Sequence, residues 1–459
     1  MLNLYKTNIG GILMNKNIDL TKDNISKTLI KLSLPIMGTS FIQMAYNMID
    51  MMWVGKIGSD AVAAVGTAGF FPWLAMAFIS ISKVGGEVKV SQNIGKKDAE
   101  KAMLYTKSSL EINILLAIIY TLVLIILKEP LIGFFNLGDE NVISMSENYL
   151  IIIALGMIFT FLNPVLTAVF NGMGNSKTPF FINTFGLIVN IILDPLLIFN
   201  FELGVIGAAI ATTLAQMIVT LSFIFIIIKE KNSYFKFKLF KNIDFDAYKK
   251  LIDLGIPVAL QNGLFTIIAM IIGVVVASFG PVAIAAQKVG SQIESISWMV
   301  CEGIASALSS FIGQNYGAKD IDRVEKGCGI ALLFCTALGI LNTFLLVWFS
   351  NEIFALFINE KDSIEKGASY LTIIGYSQVF MCLEIVVAGI FRGLGKPLIP
   401  SVIMIILTAI RIPMAYILSN YIGIDGVWWS LTISSILKGI SLYLIFIYMI
   451  KTKIIYKDN

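Results

Sequence analysis

The sequence predicts an all-α polytopic membrane protein: twelve transmembrane helices in two six-helix lobes, related by a pseudo-two-fold axis along the membrane normal. Composition is the first reason. Of 459 residues, 57% are hydrophobic and only 14% charged, and mean hydropathy is +0.83, which no soluble domain approaches. The second reason is the number of long apolar runs between loop signals, and the third is an internal repeat.

The spans follow in chain order. A polar segment covers 1–28, with one short apolar patch. The next apolar run is too long for the core of a cleavable signal, so none is expected, and Met14 is an alternative start. The N-lobe, 29–229, holds spans at about 29–55, 60–92, 99–128, 141–171, 178–201 and 205–229. A polar linker covers 230–248. The C-lobe, 249–450, holds spans at about 249–279, 282–314, 323–350, 365–391, 398–420 and 426–450, and a tail covers 451–459. Several spans exceed the hydrocarbon thickness, which predicts tilt and helix ends projecting into water.

Lys/Arg counting sets the orientation. With the N-terminus inside, the termini and even-numbered turns hold about 25 basic residues and the opposite turns about four, Lys56, Lys128, Lys361 and Lys366. Both termini are therefore expected in the cytoplasm of an inner (plasma) membrane protein. The linker alternates basic and aromatic residues between Lys229 and Lys241, as a segment on an anionic leaflet or a solvated connector would.

The repeat is read from matched motifs. Leu-Ser-Leu-Pro35 recurs as Leu-Gly-Ile-Pro257, Gly58 as Gly280, and Ser91-Gln-Asn-Ile-Gly-Lys-Lys-Asp98 as Gly313-Gln-Asn-Tyr-Gly-Ala-Lys-Asp320. Phe170-Asn-Gly-Met-Gly174, followed by Pro179, recurs as Phe391-Arg-Gly-Leu-Gly395, followed by Pro400. Six spans per copy return the chain to its starting side, so both halves share one orientation. Two such lobes around a central cavity form a transporter architecture; channels are more often symmetric oligomers of short chains.

Other classes are excluded or disfavoured. The chain has no histidine, which removes histidine metal sites and His-dependent nucleophilic catalysis. No HExxH or nucleophile–base pairing points to an intramembrane enzyme. Cys301, Cys328, Cys335 and Cys382 form no CxxC pair and read as buried thiols. No basic stripe with interleaved aromatics marks a nucleic-acid surface.

The fifth span holds the residues that carry chemistry. A carboxylate at membrane depth costs roughly 2.5–3.5 kcal/mol on insertion scales, so Asp194 reads as functional. Asn190 lies one helical turn before it on the same face. Pro195 removes a backbone donor and predicts a kink. In the second repeat, Ile272, Arg411 and Ala415 stand opposite Asp50, Asn190 and Asp194. Acids at these depths thus occur in one lobe only, as a task done once per molecule requires. Asp194 and Thr212 lie about nine residues either side of the turn at Glu202–Gly204. Asp50 lies about six residues before the turn at Lys56–Gly58, with Tyr46 one turn further in. Tyr149 falls at a matching depth, so all can meet about 10 Å below the outer surface. Carboxylates, an amide and hydroxyls suit a hard cation such as Na⁺ or a shared proton.

Pro35 followed by Asp50, the Gln-Asn-x-Gly-x-x-Asp turn in both halves, Gly-x-Gly before spans five and eleven, Ala-Ala-Gln287-Lys-Val-Gly-Ser-Gln-Ile-Glu294-Ser and Phe391-Arg392-Gly-Leu-Gly together resemble the multidrug and toxic compound extrusion (MATE) family. The resemblance covers about residues 29–450. It implies an antiporter that exports organic cations or drugs in exchange for H⁺ or Na⁺, with a cation site at Asp50, Asn190 and Asp194. Thr212 and Tyr46 fit the same resemblance, and Tyr149 and Asn163 are supporting candidates.

The C-lobe departs from one branch of the family, which places acids in spans seven and ten. Span seven carries Gln261 and Asn262 instead, and span ten carries Glu384. A stripe in span eight runs through Gln287, Ser291, Glu294, Ser295, Trp298 and Glu302. Gln261, Gln287, Glu294 and Glu384 are the expected cavity lining, with Lys288 or Arg411 neutralising the acids. Lys83 and Glu87 are expected to pair. Met44, Met48, Met51, Met52, Met76 and Phe70–Trp73 offer a soft lining for organic cations, or ordinary packing. The competing function is a flippase or exporter of a lipid-linked or anionic precursor, which needs a cationic cavity. No cofactor beyond the coupling ion is expected, and the chain is expected to work as a monomer in the bilayer.

Overall fold

A computed structural model of the chain describes residues 19–230, 233–358 and 360–456; the expectations for the first 18 residues, Met14 included, lie outside them. Its helices are α1 (Ile25–Gly55), α2 (Ser59–Ala68), α3 (Phe70–Gly95), α4 (Ala99–Ile126), α5 (Lys128–Gly133), α6 (Glu140–Gly172), α7 (Lys177–Pro195) and α8 (Gly204–Glu230). After the linker come α9 (Phe245–Ala277), α10 (Pro281–Gly317), α11 (Ile321–Trp348), α12 (Ser350–Ala355), α13 (Lys361–Gly375), α14 (Gln378–Gly393), α15 (Leu398–Ala409), α16 (Arg411–Ile422) and α17 (Ile424–Lys451).

Among the described residues, ten helices are long and apolar enough to cross a bilayer, and the pair α13–α14, bent by 51°, makes an eleventh span. The twelfth is α1. It has 31 residues, ample length at 1.5 Å per residue, but Thr39, Ser40, Gln43, Asn47 and Asp50 lower its hydropathy. Thr39 and Ser40 turn their hydroxyls back to the Pro35 and Ile36 carbonyls, Gln43 and Asn47 are exposed, and Asp50 belongs to the candidate site.

The first helix of each repeat reaches into the other lobe's core. Leu29, Leu32 and Ile36 of α1 are buried with α10, α11 and α14 residues, while Ala247 and Leu251 of α9 join the α3–α8 core. Close crossings need glycine: a Cβ at Gly85 would meet the Leu251 backbone, and one at Gly303 would meet Met37.

The repeated Gln-Asn-x-Gly-x-x-Asp turn has a defined role in this packing. Gln92 Nε2 donates to Gly393 O at 3.1 Å, and its counterpart Gln314 Nε2 donates to Gly172 O at 2.8 Å. Each amide thus crosses to the Gly-x-Gly turn of the opposite repeat. Gly95 abuts the Gln314 backbone and Gly317 the Gln92 backbone, with no room for a side chain. Asp98 and Asp320 cap α4 and α11, accepting from Lys101 N and Arg323 N at 3.0 Å each. The Lys101 N–H holds the Asp98 carboxyl below its ordinary pKa. Glu87 reinforces this seam, accepting from Ser306 at 3.1 Å and Ser310 at 3.0 Å. It does not pair directly with Lys83, whose charge acts on it from further off; the α10 hydroxyls are the nearer donors.

The linker is not merely solvated, because it packs on the N-lobe. Phe235 stacks on Phe170 at 5.6 Å, and Tyr234 and Phe237 pack on the N-lobe core. Lys107 Nζ donates to Asn242 O at 3.0 Å, and Glu111 accepts from Phe240 N at 2.6 Å and Tyr248 OH at 2.8 Å. Alternation operates over 234–238, because Lys236 and Lys238 stay exposed while Tyr234, Phe235 and Phe237 turn inward; Phe240 is exposed.

Candidate functional site

The site forms where α7 loses regularity. Pro195 cannot donate to the Ile191 carbonyl, and the chain continues as a π-helical turn, Leu196–Asn200. Such turns inside helices often mark functional positions. Just before it, Asn190 Nδ2 donates to Asp194 Oδ1 at 3.1 Å, and both side chains are fully buried. The one-turn spacing aligns amide and carboxylate on one face.

Three other helices complete the cluster. Asp50 of α1 interacts electrostatically with Asp194. Tyr46 of α1 and buried Tyr149 of α6 each face both carboxylates. Thr212 of α8 interacts with Asp50, yet its Oγ1 closes no hydrogen bond of normal geometry. Asp50 Oδ1, Asn190 Oδ1, Asp194 Oδ2, Thr212 Oγ1 and Tyr46 Oη are all buried without a partner. Buried polar atoms are normally satisfied, so five unpartnered oxygens around two carboxylates are unusual. Their chemistry fits Na⁺, which takes hard oxygen ligands, or a proton shared by the acids.

Asn163 lies outside this cluster. Its amide donates to Gln216 Oε1 at 2.7 Å and accepts from Thr220 Oγ1 at 2.6 Å. Both ends are engaged in tying α6 to α8.

The four C-lobe residues all have partners. Gln261 accepts from Ser401 at 2.9 Å, Gln287 from Trp428 Nε1 at 3.2 Å and Glu294 from the Tyr370 hydroxyl at 3.2 Å. Glu384 pairs with Lys438 at 2.7 Å. Arg411 interacts with both acids, but Lys288 forms no ion pair among the described residues and points outward. Sequence reasoning missed Lys438, a lone cation in the last apolar span, because spans ten and twelve meet only in the folded lobe. Glu302 of the α10 stripe is bound by Arg392 at 2.8 Å. Met48, Met51, Met52, Trp73 and Met76 are exposed, whereas Phe71 is buried.

The MatE family profile matches this chain twice, over residues 35–196 and 257–417, one match per repeat. The chain belongs to the MatE family. "Probable multidrug resistance protein NorM" of Thermotoga maritima is 27% identical over 88% of this chain and 88% of its own length. The multidrug export protein MepA of Staphylococcus aureus is 24% identical over 94% of this chain and 96% of its own. A solved outward-facing multidrug resistance MATE family transporter of the MOP superfamily has a TM-score of 0.88 at 22% identity, covering 97% of this chain and 99% of that one. As a MATE protein with this many apolar spans, the chain is an integral membrane transporter, and its two repeats are the two lobes of that fold.

Proposed function

We propose that this MATE transporter exports organic cations or drugs in exchange for inward H⁺ or Na⁺, and that the coupling ion binds at Asp50, Asn190, Asp194 and Thr212. The observation that carries this reading is the set of buried, unpartnered oxygens on those residues. Two carboxylates with no base among them need a cation when buried. The names of NorM and MepA support a drug-like substrate. Lysine and arginine placement supports a cytoplasmic location for both termini. On that orientation the Gln92–Gln314 seam is the inner gate, closed in this conformation, and each molecule carries both lobes, so one chain suffices.

Alternating access follows from these parts. In the outward state substrate leaves and a cation enters the N-lobe. Its charge offsets the repulsion between Asp50 and Asp194, so α1 can repack around Pro35 and the seam can part. A carrier for a lipid-linked or anionic precursor would need a free cationic pocket. Arg411 and Lys438 are instead compensated by Glu294 and Glu384, which favours the cation reading.

The test uses purified protein in liposomes, with ethidium as the transported cation. Asp194→Asn and Asp50→Asn should melt normally and lose gradient-driven transport by at least an order of magnitude. Wild-type transport by either variant would overturn the proposal.

A further inference from the structure

The C-lobe holds a second buried charge cluster that the cycle above does not use. It comprises Glu294 on α10, Tyr370 on α13, Gln378 and Glu384 on α14, Arg411 on α16 and Lys438 on α17. Lys438 Nζ lies 2.7 Å from Glu384 Oε1. Tyr370 donates to Glu294 Oε2 at 3.2 Å, and Gln378 also interacts with Glu294. Arg411 Nε donates to Ser434 Oγ at 2.5 Å and Nη2 to Ser435 Oγ at 3.0 Å. Its guanidinium lies 5.8 Å from the Phe265 ring centroid and acts on both acids, as does Lys438. Glu384 Oε2 has no hydrogen-bond donor, so the second cation compensates it through longer-range attraction alone.

This cluster overlaps in part the ground that the ion site occupies in the other repeat: Tyr370 and Arg411 match site residues, whereas Glu384 matches Asn163, outside the ion cluster. Counting from the matched turns Phe170–Gly174 and Phe391–Gly395, Tyr370 stands where the N-lobe has Tyr149, Glu384 where it has Asn163 and Arg411 where it has Asn190. The two lobes therefore share a plan and differ in charge. The N-lobe presents two carboxylates and no base; the C-lobe presents two carboxylates and two bases. An interior whose charge is closed by its own side chains gains nothing from an added cation, since repulsion by the resident bases offsets attraction to the acids.

We propose that Arg411 and Lys438 are built-in counter-cations that make the C-lobe cluster a fixed, ion-free counterpart of the N-lobe site, with Arg411 the residue that confines ion exchange to one lobe. The proposal rests on the N-lobe reading above but is tested separately. Removing one base should leave a buried acid pair with one cation, and that pair should recruit a second from solution.

The measurement is the number of cations bound by the purified full-length protein. Protons are counted by potentiometric titration between pH 9 and pH 5 without Na⁺, and Na⁺ by equilibrium dialysis at fixed pH. Arg411→Asn should bind about one more cation per molecule than wild type, and Arg411→Asn with Glu294→Gln should return to the wild-type count. Arg411→Lys, which keeps the charge, should bind no extra ion. Lys438→Gln and its rescue by Glu384→Gln form an independent arm if the Arg411→Asn protein does not fold. Asp194→Asn should lower the wild-type count while leaving the Arg411→Asn increment intact, which separates failure here from failure of the N-lobe site. An unchanged count in folded Arg411→Asn or Lys438→Gln protein, or an extra ion that the paired Glu→Gln change does not remove, would show that these are structural ion pairs only.

Discussion

Thr212 offers an oxygen that faces Asp50 but closes no hydrogen bond of normal geometry, which makes it a clean single-ligand probe. Thr212→Val keeps shape and removes only the hydroxyl, so stability should change by less than about 1 kcal/mol, since no made bond is lost. Cation affinity should fall about tenfold, one ligand being worth roughly 1–2 kcal/mol, and Thr212→Ser should restore it. Differential scanning calorimetry and cation binding measured together check this; an unaltered affinity for Thr212→Val would remove it from the site. Asp50, Asn190 and Asp194 were legible because a charge inside an apolar run is costly to bury, and an amide one turn away marks the same face. Asn163 was not, since an amide looks the same in sequence whether it faces an ion or is satisfied by Gln216 and Thr220. The C-lobe pairs were half-legible: Glu384 stood out, but the sequence points to Lys288 and Arg411 rather than Lys438, whose contact with Glu384 depends on the packing of α14 against α17.

At the scale of helices, the Gln-Asn turns were visible as repeats, and a tight turn was the natural reading. The fold adds that each turn clasps the opposite lobe, a long-range contact that no local pattern encodes. Gln92→Ala with Gln314→Ala deletes two crossing hydrogen bonds, each worth about 0.5–1.5 kcal/mol. Gly95→Val does more, by forcing a side chain against the Gln314 backbone. Both changes should shift the conformational equilibrium toward opening at the end bearing the seam, by roughly tenfold for the double alanine protein. Ser309→Cys, buried at 3% exposure beside this seam, reports the shift: labelling by a membrane-impermeant maleimide should speed up by that factor. The native cysteines are buried and give a low background. Equal labelling rates with and without the Gln substitutions would mean that the seam is not the gate. Helix α1 was legible as the span 29–55 by its length, although its polar residues lower its hydropathy; Thr39 and Ser40 engage their hydroxyls with the α1 backbone.

Over the whole molecule, the two lobes share one backbone plan and hold different charge. That difference decides what can drive transport. Under the proposed scheme, with the C-lobe charge closed by Arg411 and Lys438, one ion would be exchanged per cycle, at Asp50 and Asp194. One monovalent organic cation out for one H⁺ in then moves no net charge across the membrane. Membrane potential, worth about 2.3 kcal/mol per charge per 100 mV, contributes nothing to such a cycle. The pH gradient contributes about 1.4 kcal/mol per unit. In liposomes with H⁺ as the coupling ion, ethidium transport should therefore follow an imposed pH difference. It should stay unchanged, within about twofold, when a valinomycin-set potassium potential of about 100 mV is applied, although that potential could shift a one-charge equilibrium by roughly 50-fold. A strong voltage response would require at least two ions per cycle, and the second would have to be found outside the Asp50–Asp194 pair. Arg411→Asn supplies the comparison: with a second cation admitted to the C-lobe and released in step, its transport should acquire a voltage dependence that the one-ion scheme denies the natural protein.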